Sequence, residues 1–382
     1  MPRTMRVEVS PAVFRWLRTS SGWSVEDVAR RLRTSVDIIE AIERGEYKPT
    51  LRQLKELATA YRRPLAAFLL SEPLKEPPMP KDYRMLPDRE GIFDKKTIYA
   101  IRRARSLQEV GLELLININD SARPRIKTLR ISDNPKHTGL KYRELFGLTP
   151  ERQRKFKTSY EFFNYLRARL EDMNILVFQF SMPVEDARGF ALTDRIPYVV
   201  VVNSADSIEA RIFTLMHEFG HVLLGDTAID LPEVSSEMQH RAEKWCNAFA
   251  SELLLPEKLA RTAFESEKST LTETPTLNSL SRRFKLSKGM ISYKMFRLNF
   301  ISKEAYEEIL GRYRPSGPEP GDKKKRGGIP VDVRCISEVG NRFVSIVADN
   351  YDRNLITFSD ALSYLSVRSK NFESVLAKAR QW

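Results

Sequence analysis

Cysteine is scarce in this sequence, and long apolar runs are absent. The 2 cysteines, Cys246 and Cys335, lie far apart in sequence and do not suggest a disulfide-stapled secreted domain. No apolar stretch approaches the ~18 residues of a membrane span, and residues 1–6 lead into no signal-peptide core. A phosphate-binding glycine loop and a Ser/His/Asp constellation are also missing. We therefore expect a cytoplasmic protein that does not enter the membrane.

Acidic residues are outnumbered by basic ones. The chain has 50 Asp and Glu against 63 Lys and Arg, which gives a net charge of +13. This excess favours an acidic partner such as nucleic acid, but a dispersed basic surface would give the same count. At 382 residues the chain is too long for one compact domain, so we expect two to four units.

Only 4 histidines are present, and two of them occur in the sequence HEFGH at 217–221. The apolar run around them, residues 212–224, predicts one helix. Histidines four residues apart share one face of a helix, so the imidazoles of His217 and His221 can reach a single metal ion. Glu218 is rotated by about 100° from the first histidine, toward the position of a reacting water. The pattern predicts a zinc site with Glu218 as general base.

The third protein ligand must come from outside this motif. Residues 236–255 predict a second helix, in which Glu243 and Asn247 lie four residues apart among apolar neighbours. A carboxylate in such surroundings is unfavourable unless it is paired or bound to a metal, so we predict Glu243 as the third ligand. Asn247 would support a ligand from outside the metal shell. His240 remains the competing ligand, and Cys246 is interpreted as a buried structural thiol.

Several blocks of residues 190–256 carry a family resemblance. They are the strand YVVVV at 198–202 with Asn203 after it, the block 211–225 that contains HEFGH, and the block 243–256. Together they resemble the ImmA/IrrE family of metallopeptidases. The Glu of the second block resembles the third ligand of gluzincins, so the resemblance implies that Glu243 completes the zinc site. Cys246 stands where the family usually has Ala.

The amino-terminal residues 9–72 have the pattern of a helix-turn-helix domain. Ser24 is predicted to cap a helix over 25–32, and Ser35 a second helix over 36–44 that ends at Gly45. The stretch resembles the Xre/Cro-type fold. Its pattern Glu43-x-Gly45-x-x-x-Pro49-Thr50 resembles the variant fused to ImmA/IrrE peptidases.

The charges of this domain leave its partner open. A recognition helix normally offers Arg, Lys, Gln or Asn to base edges, whereas the second helix presents Asp37 and Glu40, which phosphates repel. The domain therefore binds DNA or, alternatively, serves in protein recognition or dimerisation. The candidate DNA-contacting residues are Arg30, Arg31, Arg33, Ser35 and Lys48.

Composition shifts divide the remaining chain into further segments. The fold class predicted for the whole chain is mainly α with a small β-sheet (α+β). We expect residues 198–203 near the sheet edge beside a zincin-like cleft. Residues 277–300 form either a second helix-turn-helix with an exposed basic face that includes Lys294, or simple helical packing. The predicted order is a helix-turn-helix domain (1–72), a Pro-rich connector (73–95), a peptidase domain (96–265), a helical extension (266–311), a flexible basic linker (312–328) and a small helical domain (329–382).

Three functional hypotheses follow from these features. The leading one is a zinc-dependent endopeptidase in a regulatory circuit, and the resemblance implies that its substrate is an Xre-type repressor cut under stress or during mobile-element induction. The second is a DNA-binding transcription regulator that uses the peptidase fold as a sensor or scaffold. The third is one half of a toxin–antitoxin pair. The sequence does not indicate an oligomeric state.

Overall fold

The computed structural model describes residues 5–75, 93–225, 236–313 and 329–380, without the side chains of 236–240. These ranges are mostly helical and contain one three-stranded sheet, which confirms the predicted α+β class. They divide into two compact units, one with residues 5–75 and 93–103 and the other with the described residues from 104 onward. The six-part organisation predicted from composition is finer than this division and stays a prediction. Most of the connector and of the linker, together with the side chain of His240, lies outside the described residues.

The first unit is a small helical bundle. Its helices α2 and α3 have the predicted bounds. Ser24 accepts a hydrogen bond from the backbone of Asp27, and Gly45 ends α3 with a φ of 82°, whereas Ser35 stands at the N-cap of α3 without a side-chain capping hydrogen bond. The elements are α1 (Pro11–Thr19), α2 (Val25–Leu32), α3 (Val36–Arg44), α4 (Leu51–Tyr61), a 3-10 helix (Leu65–Leu69) and the first turns of α5 (Lys95–Asn117).

The second unit contains the sheet and the motif predicted to bind metal. Its helices are α6 (Pro135–Leu145), α7 (Pro150–Lys155), α8 (Ser159–Glu171), α9 (Ile208–Leu224), α10 (Ser236–Leu254), α11 (Glu257–Glu265), α12 (Thr274–Phe284), α13 (Lys288–Arg297), α14 (Lys303–Arg312), α15 (Val331–Asp352), α16 (Phe358–Leu365) and α17 (Phe372–Ala379). Its strands are β1 (Ile175–Phe180), β2 (Gly189–Leu192) and β3 (Tyr198–Asn203).

The sheet has the order β1-β3-β2, with β1 parallel and β2 antiparallel to β3. The expectation that residues 198–203 lie near the edge is therefore wrong. They form the central strand, and the side chains on both of its faces are buried from Val199 to Asn203. The short strand β2 is an edge of the sheet and packs on α9.

Helix α9 packs against the sheet on one side and against α10 on another. The two helices approach closely at Gly220, where an added Cβ would lie 3.0 Å from Sγ and 3.2 Å from Cα of Cys246. Only glycine fits this crossing without displacing a backbone. The crossing brings the middle of α10 beside the HEFGH motif.

Helix α15 packs on β1 and is broken at Gly340, which has a φ of 82° and a ψ of 156°. The break sits on a buried ion pair of α8, Arg167 with Glu171, at 3.0 Å. Arg167 donates to the carbonyls of Ile336 and Ser337, and Glu171 accepts from the backbone N–H of Arg342. The cation of Arg167 therefore lies at the C-terminal end of the first half of α15, and the anion of Glu171 lies at the N-terminal end of the second half. Both placements are favourable for the helix dipole.

The segment 277–300 folds as two packed helices, α12 and α13. The expectation that Lys294 lies on an exposed basic face is wrong. The residue is 5% exposed, and its Nζ lies 2.7 Å from a carboxylate oxygen of Glu252. The burial of Lys294 follows from its place on the inner face of α13, between Ile291 and Met295, which are also buried. None of the described helices combines the length and apolar character that crossing a membrane requires.

Candidate metal centre

The two histidines of the motif lie on one face of α9 and are both buried. Their side chains are 1% and 6% exposed, and Nε2 of His217 is 3.2 Å from Nε2 of His221. Two nitrogen donors therefore point at the same small volume. Helix α9 fixes both rings, because its N-terminus is capped by Ser207 and its apolar faces are packed in the core.

Glu243 of α10 completes a triangle of donor atoms with these histidines. Its Oε1 is 3.0 Å from Nε2 of His221, and its Oε2 is 3.2 Å from Nε2 of His217. In a tetrahedral zinc site with bonds of about 2.0–2.1 Å, ligand atoms lie about 3.3 Å apart. Two imidazoles and one carboxylate at these spacings fit a zinc ion with a fourth position left for water or substrate. In the described part of the chain this is the one group of three such residues close enough to hold a metal ion.

The carboxylate of Glu243 lies between the imidazole rings of His217 and His221, each of which can carry a proton or bind a metal. Burial disfavours the charged form of Glu243, but the hydrogen bonds and charges of His217 and His221 outweigh it and lower the pKa of the carboxyl far below its usual range. Burial likewise opposes a charge on His221, but Cys246 and Glu243 raise its pKa well above the ordinary value. The pocket thus favours positive charge beside Glu243, which a divalent cation supplies.

Helix α10 also supports the rings from behind. Nδ1 of His217 lies 3.0 Å from Oδ1 of Asn247, so the ring donates Nδ1–H to the amide oxygen and leaves Nε2 as the nitrogen that faces the candidate metal position beside Glu243. Cys246 is fully buried and its thiol interacts with the side chain of His221. Its sulfur is not among the converging donor atoms.

Glu218 is 4% exposed and lies under the start of β2. A Cβ on Gly189 would be 3.2 Å from Cγ of Glu218 and 2.7 Å from the carbonyl oxygen of Val201, so the glycine makes room for the carboxylate. The negative charge of Glu218 acts on His221. The sequence gives no indication of this role for Gly189 beyond a glycine at the start of a short apolar strand.

The candidate DNA-contacting residues lie on the first unit and do not form one cluster of unpaired cations. Arg31 pairs with Glu56 at 3.3 Å, and Lys48 pairs with Glu8 at 2.9 Å. Arg30 is 79% exposed and is within 3.5 Å of Asp27. Arg33 ends α2 in a left-handed conformation, and Ser35 is the residue before α3.

Glu43 of this unit has a structural role that the sequence pattern did not reveal. It is 8% exposed, and its carboxylate accepts from Arg15 at 3.2 Å and from Arg18 at 2.6 Å. The Glu-x-Gly pattern at 43–45 therefore joins α3 to α1. The same two ion pairs withdraw part of the charge of these arginines from any external partner.

Comparison with known families agrees with this two-part construction. Residues 170–296 match the model of the IrrE N-terminal-like domain of the Peptidase_M78 family, and residues 12–68 match a helix-turn-helix domain. A comparison with curated proteins found no match. The two matches indicate a helix-turn-helix domain followed by a domain of metallopeptidase type. The chain carries an IrrE-type Peptidase_M78 domain behind an N-terminal helix-turn-helix domain, which confirms the resemblance.

Proposed function

We propose that this protein is a zinc-dependent endopeptidase that acts in a regulatory circuit. The convergence of His217, His221 and Glu243 within 4.8 Å of one another is the observation that supports it best. The donor set, two imidazoles and a carboxylate, is the one that catalytic zinc takes in gluzincin-like peptidases. The Peptidase_M78 match over 170–296 supports a metallopeptidase on independent grounds.

Within this proposal each residue has a separate task. Zinc held by His217, His221 and Glu243 would supply Lewis acidity toward the scissile carbonyl. Glu218 takes a proton from the attacking water and passes it to the departing amine. Asn247 keeps the ring of His217 in the tautomer that offers Nε2. The side chains of His217 and His221 are 1% and 6% exposed, and this burial strengthens the electrostatic interactions at the site.

The proposed substrate is a protein, an Xre-type repressor, cut during a stress or mobile-element response. The helix-turn-helix match supports a place in gene regulation. We also propose a cytoplasmic site of action, in keeping with the free cysteines Cys246 and Cys335.

Metal content and cleavage together test the proposal. Wild type, Glu218→Gln and His217→Ala would be reconstituted with zinc and incubated with purified Xre-type repressors of the same organism. We expect Glu218→Gln to retain zinc and lose cleavage, and His217→Ala to lose both. Cleavage by Glu218→Gln at the wild-type rate would refute the assignment.

A second candidate is a DNA-binding regulator in which the peptidase domain is a sensor. The helix-turn-helix match and the exposed Arg30 favour it, whereas the ion pairs of Arg31 and Lys48 reduce the charge on offer. Salt-sensitive binding to an operator without cleavage of any repressor would select this function over the first. An antitoxin-like protein would instead bind its neighbouring gene product without cutting it.

A further inference from the structure

Residues 121–131, which we call the basic segment, connect α5 to α6 without regular secondary structure. Apolar side chains of the segment face inward, since Ala122 is 8% exposed and Ile126, Leu129 and Ile131 pack against the core. Most of the side chains between them are exposed. Four of these are cationic and exposed, namely Arg123, Arg125, Lys127 and Arg130.

The four cations lie within eight consecutive residues, flanked by Asp120, which interacts electrostatically with Arg125, and by Asp133, whose carboxylate accepts from the backbone N–H of Arg130. No Asp or Glu occurs between Asp120 and Asp133. In the described ranges, ion pairs hold the neighbouring cations Arg342, with Asp120, and Lys136, with Glu257, but none involves the four residues of the basic segment. Like charges placed this closely repel one another, and a bound anionic partner would relieve that repulsion.

Backbone hydrogen bonds hold the basic segment in place. The N–H of Arg125 donates to Met173 O at 2.8 Å, and the side-chain amide of Asn174 donates to Ser121 O and Arg123 O, both at 3.1 Å. A fixed backbone spares a bound partner the cost of ordering the segment, and only the four side chains lose rotamer freedom on binding.

The basic segment also touches the helix that carries the motif. The N–H of Leu129 donates to Leu223 O at 2.7 Å, and Leu223 follows His221 by two residues. Thr128 lies against Gly225, where a Cβ would be 2.8 Å from its Cγ2. A ligand on the basic segment is therefore bound at the C-terminal end of α9.

We propose that the basic segment is a docking site for an acidic, Asp- and Glu-rich stretch of the protein substrate. The inference rests on the proposed function, because a peptidase acts on a polypeptide and this surface belongs to the unit with the peptidase domain. Three of the four cations are arginines, which pair with carboxylates through two parallel hydrogen bonds. The segment has no aromatic ring on which a nucleobase could stack.

Binding can be measured without cleavage, in the full chain with Glu218→Gln. The probe is a fluorescein-labelled peptide of alternating Glu and Ser, compared with its Gln/Ser counterpart and with a labelled DNA duplex, each followed by anisotropy at low and physiological salt. The test variant replaces all four cations of the basic segment with Gln. The matched control removes four exposed cations of the same unit that lie elsewhere in sequence, Lys141→Gln, Lys155→Gln, Lys157→Gln and Lys258→Gln.

We expect the acidic peptide to bind the parent better than the Gln/Ser peptide, and the test variant to bind it about tenfold more weakly. The control should bind as the parent does. Equal loss in both variants would mean a general charge effect and refute the proposal. Loss of DNA binding with unchanged peptide binding would assign the surface to nucleic acid and refute it too, as would a parent that does not discriminate between the peptides.

These outcomes are independent of the test of the proposed function. Cleavage by Glu218→Gln at the wild-type rate would refute the assigned chemistry but would leave the binding data as measured. Conversely, a repressor cut in a Glu218-dependent manner with an unchanged KM in the basic-segment variant would uphold the peptidase and refute the docking site.

Discussion

The amide oxygen of Asn247 lies 3.0 Å from Nδ1 of His217, on the side of the ring opposite the atom that faces Glu243. One helix, α10, therefore provides both a candidate ligand and the residue that orients another. We expect Asn247→Ala to weaken zinc binding about 10- to 100-fold, because His217 loses its orienting acceptor. Competition with a chromogenic chelator measures the affinity. Asn247→Asp keeps an acceptor and should stay within a few-fold of wild type, and equal losses in the two variants would contradict the assigned role.

Zinc itself should stabilise the protein. A ligand that binds only the folded state at roughly 100 times its Kd adds about 2.7 kcal/mol to the free energy of unfolding. We expect the unfolding temperature of the chelator-treated protein to rise when zinc is restored, and no such rise in Glu243→Ala. A zinc-dependent rise in that variant as large as in wild type would remove Glu243 from the ligand set, and the same measurement on His240→Ala tests the competing ligand.

The close crossing at Gly220 makes a prediction about packing. A methyl group there would lie 3.0 Å from Sγ and 3.2 Å from Cα of Cys246, so Gly220→Ala must push α9 and α10 apart. We expect a loss of about 1–3 kcal/mol in stability and a drop in zinc affinity, measured by urea unfolding and chelator competition. Gly311→Ala is the control, because a Cβ at this helical site meets nothing within 4 Å. It should be neutral or slightly stabilising.

The buried ion pair of Arg167 and Glu171 predicts that removing one charge lowers the free energy of unfolding more than removing both. Burial raises the pKa of Glu171 and lowers that of Arg167, and their mutual attraction opposes both shifts. Arg167→Met would leave Glu171 buried without its partner, at a cost of about 3–5 kcal/mol in unfolding free energy. Arg167→Met combined with Glu171→Leu should lose less than the single variant, as followed by urea unfolding. A double variant with additive losses would show that the two charges do not interact.

Local signals made the helices readable from sequence. Ser24 and Gly45 fixed the bounds of α2 and α3, because capping and left-handed termination depend on residues next to each other in the chain. HEFGH and its apolar flanks likewise predicted α9. The proximity of Glu243 to both histidines was predicted from the cost of a carboxylate among apolar residues, and the structure brings the three side chains together.

Pairings between distant segments were less readable. The central position of β3 depends on β1 and β2 pairing with it on either side, which no pattern within residues 198–203 encodes. Lys294 was misread because its partner Glu252 lies 42 residues earlier in the chain. The break at Gly340 depends on charges from α8, which the sequence of α15 does not reveal.

Glu243 and Asn247 are one turn apart on α10. A displacement of this helix would therefore move the candidate ligand oxygen of Glu243 and the Asn247 amide that orients His217 at the same time. Metal occupancy and the packed position of α10 are then thermodynamically coupled, and the coupling is reciprocal. A partner that stabilised the packed position of α10 would raise the affinity for the ion, and the ion would raise the affinity for that partner by the same factor. A ligand that binds α10 would thus change metal occupancy without contacting the donor atoms.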